Sequence, residues 1–206
     1  MPKLLTEFIG TVFLVLSIGL SVASGSPMAP LAIGGTLMAM VYMGGRVSGA
    51  HYNPAVSLAL MMRGGITASE MVRYWAAQLL GGLGASFTAM HITEKRVPIH
   101  PGTGVHTAAA LAVEILFTFA LALVVLNVAT SKKTDGKGFD GLAIGFTVVC
   151  AAFAGGGISG GAFNPAVGTA LTVSGHEGFA DLWLYWVGPL VGGGLAALVF
   201  RVQEGE

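Results

Sequence analysis

Two asparagines, Asn53 and Asn164, stand in a stretch that the chain carries twice. Val47–Leu60 reads VSGAHYNPAVSLAL and Ile158–Leu171 reads ISGGAFNPAVGTAL, with eight of the fourteen positions identical. An Asn carboxamide holds an acceptor oxygen and a two-hydrogen donor side by side. Ahead of Pro-Ala and an apolar run, the oxygen is placed to cap the first turn of a helix, and Pro suits the first helical position. The NH₂ groups are then free to donate to a passing water or hydroxyl, so the chemistry is hydrogen bonding to a neutral solute. The lead-in segments, Gly49-Ala50-His51-Tyr52 and Gly160-Gly161-Ala162-Phe163, are extended and small enough to aim backbone carbonyls at the same lumen. From Ala55 to Met62 a helix rises roughly 12 Å, less than half of a hydrocarbon core of about 30 Å. Each copy therefore predicts a half-helix, Asn53-Pro54-Ala55 or Asn164-Pro165-Ala166 at its head, with its N-terminus near mid-membrane. Both dipoles would place partial positive charge there, disfavouring cations and hydronium.

Other side chains with chemical potential are few. Glu7 and Glu114 lie inside apolar runs, where a carboxylate is expensive unless it faces inward with partners. They are the intramembrane carboxylates a coupling ion would need, yet neither has a cationic neighbour in its own span. Gln78 in the third span reads either as a further polar partner beside these acids or simply as a helix–helix hydrogen bond, and His51 braces the first loop rather than binding metal. The five His have no metal-site spacing, and no metal or cofactor is expected. Ser48 and Ser159, in their Ser-Gly steps, suggest a serine hydrolase only weakly. Ser159 lacks even the nearby His that Ser48 has in His51, so no enzyme is expected.

These residues must be held by membrane-spanning elements. The 206 residues are 54% hydrophobic and 10% charged, where a soluble domain is nearer a quarter charged. Zero formal net charge and the lack of a basic block exclude nucleic acid as a partner, and the single Cys150 excludes an intrachain disulfide. Spans are predicted over Leu4–Val22, Leu31–Gly45, Ser69–Met90, Thr107–Thr130, Gly141–Gly155 and Asp181–Phe200. Glu7 argues against reading the first as a signal peptide. Tyr74-Trp75 recurs as Tyr185-Trp186 and Gly81-Gly82 as Gly192-Gly193, at the 111-residue offset between Asn53 and Asn164. The repeats cover approximately 1–95 and 107–206 of one channel domain, 1–206. Three spans per half is odd, so the second half is inverted, and the site lies where the paired short segments meet. Gly141-x-x-x-Gly145 and Gly188-x-x-x-Gly192 read as close-packing surfaces. With both termini inside, eight of the ten basic residues are cytoplasmic and only Lys95 and Arg96 lie outside.

Twin Asn-Pro-Ala boxes in inverted halves of three spans resemble the aquaporin or major intrinsic protein family over essentially the whole chain. The resemblance implies an all-α membrane protein of six transmembrane helices and two re-entrant half-helices, assembled in the lipid bilayer as a homotetramer with one pore per subunit. It implies a passive channel for water and small neutral solutes, the alternative being a secondary active transporter on inverted repeats. It also implies that Glu7 and Glu114 support the loops by accepting their N–H groups. Counting from the boxes, the family's outer filter falls on Ile33, Ala152, Gly161 and Val167. Many members carry Arg where this chain has Val167, often with an aromatic and a His nearby. The Ile/Ala/Gly/Val set is wide and apolar, and fits solutes such as glycerol, urea or ammonia as well as water. Tyr185-Trp186 and Gly168 resemble the water-selective branch instead. Phe153 and Phe163 are the aromatic side chains that would narrow the filter in another register. The cell (inner) membrane is the expected location.

Overall fold

The computed structural model describes residues 1–134 and 136–205, which fold into helices in two matching sets. The first set is α1 (Pro2–Ala23), α2 (Ala29–Ser48), the short α3 (Pro54–Arg63) and α4 (Ala68–Thr93). The second is α5 (Thr107–Thr130), α6 (Asp140–Ser159), the short α7 (Pro165–Gly175) and α8 (Leu184–Glu204). All six predicted spans and both half-helices are present, and there is no strand among the described residues. The last span starts later than predicted, because Phe179–Asp181 forms a separate 3₁₀ turn.

Four long helices, α1, α5, α6 and α8 with its preceding turn, are apolar enough to cross a membrane on length and composition alone. α2 and α4 have spanning length, at 20 and 26 residues, but their hydropathy is diluted. α2 carries four glycines and Arg46, and α4 carries Glu70, Arg73, Gln78 and His91. These two are held by packing rather than by lipid affinity: α4 lies along α1, and α2 crosses α6.

The halves interlock through their short helices. α3 packs against α8 and α7 against α4, so each half-helix is cradled by the last helix of the other half. Glycine permits the approach. A Cβ on Gly193 would stand 2.5 Å from the Ala55 carbonyl oxygen, and one on its repeat mate Gly82 would stand 3.2 Å from that of Ala166. α2 and α6 meet in the same way, a Cβ on Gly145 falling 2.5 Å from the oxygen of Gly34. The C-terminus of α3 is closed by Gly64 in the left-handed region, at φ 86°, donating to Leu60 and Met61. Arg63 donates to the Thr130 carbonyl at 2.7 Å, and Arg201 donates to that of Met62. Cations at that end also complement the helix dipole.

Gly193→Ala is therefore expected to destabilise the detergent-solubilised protein by about 1–3 kcal/mol through overpacking against backbone. Gly35→Ala, on α2 with open space at its Cβ, should be neutral or stabilising by up to about 1 kcal/mol. Chemical unfolding of the two variants beside wild type checks the contrast.

Candidate pore and its supporting loops

The two boxes meet as their sequence implies. Asn53, with extended backbone at φ −153° and ψ 121°, accepts the Ala55 N–H through its side chain at 2.9 Å. Asn164 accepts that of Ala166, also at 2.9 Å. The NH₂ groups are not wholly free, however. Asn53 Nδ2 donates to the Phe163 carbonyl and Asn164 Nδ2 to the Tyr52 carbonyl, both at 2.8 Å. One hydrogen of each amide ties the opposite loop across the pseudo-twofold, and the other remains for the lumen that both residues line.

The lead-in loops are sharply turned. Ala50 (φ 52°), Tyr52 (φ 50°) and Phe163 (φ 48°) all sit in the left-handed region, as do Gly49, Gly160 and Gly161. Non-glycine residues there store roughly 1–3 kcal/mol each and persist only when their surroundings hold them. Glu7 and Glu114, both 0% exposed, do the holding. Glu7 accepts from Ser48 Oγ (2.6 Å), His51 N (3.0 Å), Tyr52 N (2.8 Å) and Gln78 Nε2 (2.8 Å). Glu114 accepts from Ser159 Oγ (2.7 Å), Ala162 N (3.0 Å) and Phe163 N (2.7 Å). The repeated Tyr-Trp pairs brace the same loops. Tyr74 and Tyr185 donate to the carbonyls of Ser48 and Ser159 at 2.8 and 2.7 Å. Trp75 Nε1 donates to the Pro54 carbonyl, and Trp186 Nε1 to the hydroxyl of Thr169.

A cavity of about 280 Å³ runs past both asparagines. Ile33, Ala152, Gly161 and Val167 all line it, and among the described residues no Lys, Arg, Asp or Glu does. Of the loop residues expected there, Ala50, His51, Gly160 and Ala162 line it and Gly49 does not. Gly49 is the left-handed C-cap of α2, its N–H bound to Gly45, and it lies under the His51 ring. Phe153 is 54% exposed on the outside of the bundle. Phe163 packs its ring on Phe117 at 5.5 Å. Ser48 and Ser159 donate to the two carboxylates and accept from the N–H two residues on, as loop braces.

The sequence reading missed one part of the lining. Val97, Pro98 and Ile99, from the loop between the halves, close over the cavity. Glycines seat this strap: a Cβ on Gly175 would lie 2.8 Å from Pro98 Cα, and one on Gly160 would lie 2.8 Å from Ile99 Cγ1. Gly102 N donates to the Ile158 carbonyl at 3.0 Å. The available signal was a Val-Pro-Ile run inside an otherwise polar loop.

Because the carboxylates act as acceptors, Glu7→Gln should fold and conduct better than Glu7→Ala, which leaves two loop N–H groups unpaired at about 1–3 kcal/mol each. The same order should hold at Glu114. Solute flux per folded channel checks it; loss of flux in well-folded Gln variants would show that a charged carboxylate is required.

The profile of the Major intrinsic protein family matches residues 1–200. The chain is 37% identical to "Probable aquaporin TIP2-2" of Oryza sativa subsp. japonica over 209 residues, covering 95% of this chain and 84% of that one. It is 36% identical to "Aquaporin-8" of Rattus norvegicus over 214 residues, covering 97% and 80%. Among solved structures, that of the aquaglyceroporin from Plasmodium falciparum superposes with a TM-score of 0.84 at 20% identity, covering 97% of this chain and 94% of that one. An FNT family ion channel is a more distant likeness, with a TM-score of 0.61 at 15% identity. With a family match over residues 1–200, relatives 36–37% identical and both capped boxes in place, this chain belongs to the major intrinsic protein family and is an integral membrane protein.

Proposed function

We propose that the chain is a passive channel for water and small neutral solutes, with an outer filter formed by Ile33, Ala152, Gly161 and Val167. The observation that carries this reading is the uncharged cavity passing both half-helix N-termini. Partial positive charge there opposes cations, while a neutral solute can accept from the Asn amides. Without a filter arginine there is neither its bulk nor its donors, which favours passage of glycerol, urea or ammonia as well as water. The relatives named for water transport and the structural neighbour named for glycerol transport are consistent with that breadth. A secondary transporter is disfavoured because each buried carboxylate already accepts three hydrogen bonds from its own loop.

The proposal extends to assembly and placement. The whole chain acts as one channel domain with repeats over about 1–95 and 107–206. The family resemblance supports a homotetramer, and the basic residues support cytoplasmic termini in the cell (inner) membrane. A native mass in detergent of four subunits is the expected result, and a monomer would refute the tetramer.

Stopped-flow light scattering on proteoliposomes, with water, glycerol and urea gradients compared, tests the solute range. Wild type should pass all three faster than bare lipid. Val167→Arg should cut glycerol and urea flux several-fold while water falls least, since water is the smallest and can accept from the guanidinium. An unchanged glycerol-to-water ratio in folded variant would remove Val167 from the filter.

A further inference from the structure

The first loop carries a polar cluster that the second loop lacks. His51 Nδ1 lies 3.0 Å from Ser57 Oγ, which lies 3.0 Å from Gln78 Nε2, which lies 2.8 Å from Glu7 Oε2. At the 111-residue offset, His51 becomes Ala162, Ser57 becomes Gly168 and Gln78 becomes Pro189, while Ser48 and the tyrosine brace are kept as Ser159 and Tyr185, and Glu114 takes the part of Glu7 from a position 107 residues on. Glu114 holds its loop in the same left-handed geometry without the three residues. The trio is therefore not what shaping a loop requires, and its product must be sought at its far end, where His51 lines the lumen.

The hydrogens can be followed outward from Glu7. Its oxygens already take hydrogens from Ser48, His51 N and Tyr52 N, so Gln78 turns its NH₂ toward it. The amide oxygen is left buried without a partner, which is the orientation's cost. The second amide hydrogen goes to Ser57 Oγ. Ser57 has one hydrogen and two acceptors in reach, Asn53 O at 3.2 Å and the ring Nδ1 at 3.0 Å. Asn53 O already accepts the Ser57 N–H at 3.0 Å, whereas Nδ1 has no other partner. A hydroxyl hydrogen turned to Nδ1 gives that nitrogen its partner, and a neutral ring then carries its own hydrogen on Nε2. Nε2 bonds to no protein group among the described residues. Tyr74, edge-on at 5.0 Å, and Gly49, whose Cβ would stand 3.0 Å from Nε2, hold the ring in place.

We propose that Gln78 and Ser57 are positioning residues that hold His51 as an Nε2–H donor to the lumen. The half of the pore beside the first loop thus gains a third side-chain donor beyond Asn53 and Asn164, for solutes with an acceptor oxygen or nitrogen. This rests on the channel reading above.

The test reads the ring and the flux separately. Protein labelled with ¹⁵N-histidine is placed in proteoliposomes, and His51 is assigned by its loss in His51→Gln. Magic-angle-spinning spectra should show a bare Nδ1 and a protonated Nε2 in wild type. In Ser57→Ala the ring should become a mixture of tautomers, and water permeability per channel should fall roughly threefold to tenfold, the factor carried by one hydrogen bond. Ser57→Thr, which restores the hydroxyl, should return both towards wild type. A wild-type ring protonated at Nδ1 overturns the proposal even if no variant folds, and so does wild-type flux in Ser57→Ala. Wild-type protein that passes water no faster than bare lipid would overturn the channel reading instead, while the spectra would still decide the tautomer.

Discussion

Non-helical backbone at bilayer depth survives only if its polar groups find partners inside the protein. In each lead-in loop one carboxylate takes the two N–H groups ahead of the box, beside the serine, tyrosine and asparagine side chains that serve the other backbone groups. Glu7 and Glu114 reach from the N-terminal parts of α1 and α5 to take the N–H groups of His51 and Tyr52, and of Ala162 and Phe163. Hydrogen bonds to a charged group contribute about 1.5–3 kcal/mol each, enough to offset left-handed strain at Tyr52 and Phe163. Everything that faces the solute hangs from these two contacts, because the loops set where the asparagines and the carbonyls stand.

The second constraint is mutual dependence of the halves. Each half-helix rests on the last helix of the other repeat, and each box asparagine donates to the carbonyl of the other loop. Neither half can present its box alone. Small residues at the crossings serve the same end: Gly82 and Gly193 let α4 and α8 approach the first turns of α7 and α3 closely enough to define the centre of the pore. In lipid, where apolar side chains gain little from leaving the solvent, such backbone proximity is a principal source of helix association.

The lumen that results combines a polar stripe with aliphatic walls. Asn53 and Asn164 stand on its polar side beside the lead-in loops, and Ile33, Val167, Val97 and Ile99 form much of the remaining wall. With no fixed side-chain charge on that surface, the half-helix N-termini supply the positive potential that opposes cations. Discrimination among neutral solutes is left to width and to the match of hydrogen bonds along one side.

By itself, the sequence determined the elements and the centre. Repetition of Asn-Pro-Ala at a fixed offset, with Tyr-Trp and Gly-Gly pairs at the same offset, specified inverted halves, two half-helices and their capping, because capping and hydropathy are local properties. It also located Glu7 and Glu114, since a carboxylate in an apolar run demands partners. Tertiary structure decided what depends on groups distant in the chain. That Asn53 and Asn164 each give a hydrogen to the opposite loop is a contact across 110 and 112 positions, invisible to any local pattern. The retreat of Gly49 from the lumen follows from its role as the α2 C-cap. The strap of Val97, Pro98 and Ile99 reached the pore because glycines in the second half leave it room, a complementarity of surfaces that spacing along a chain does not encode.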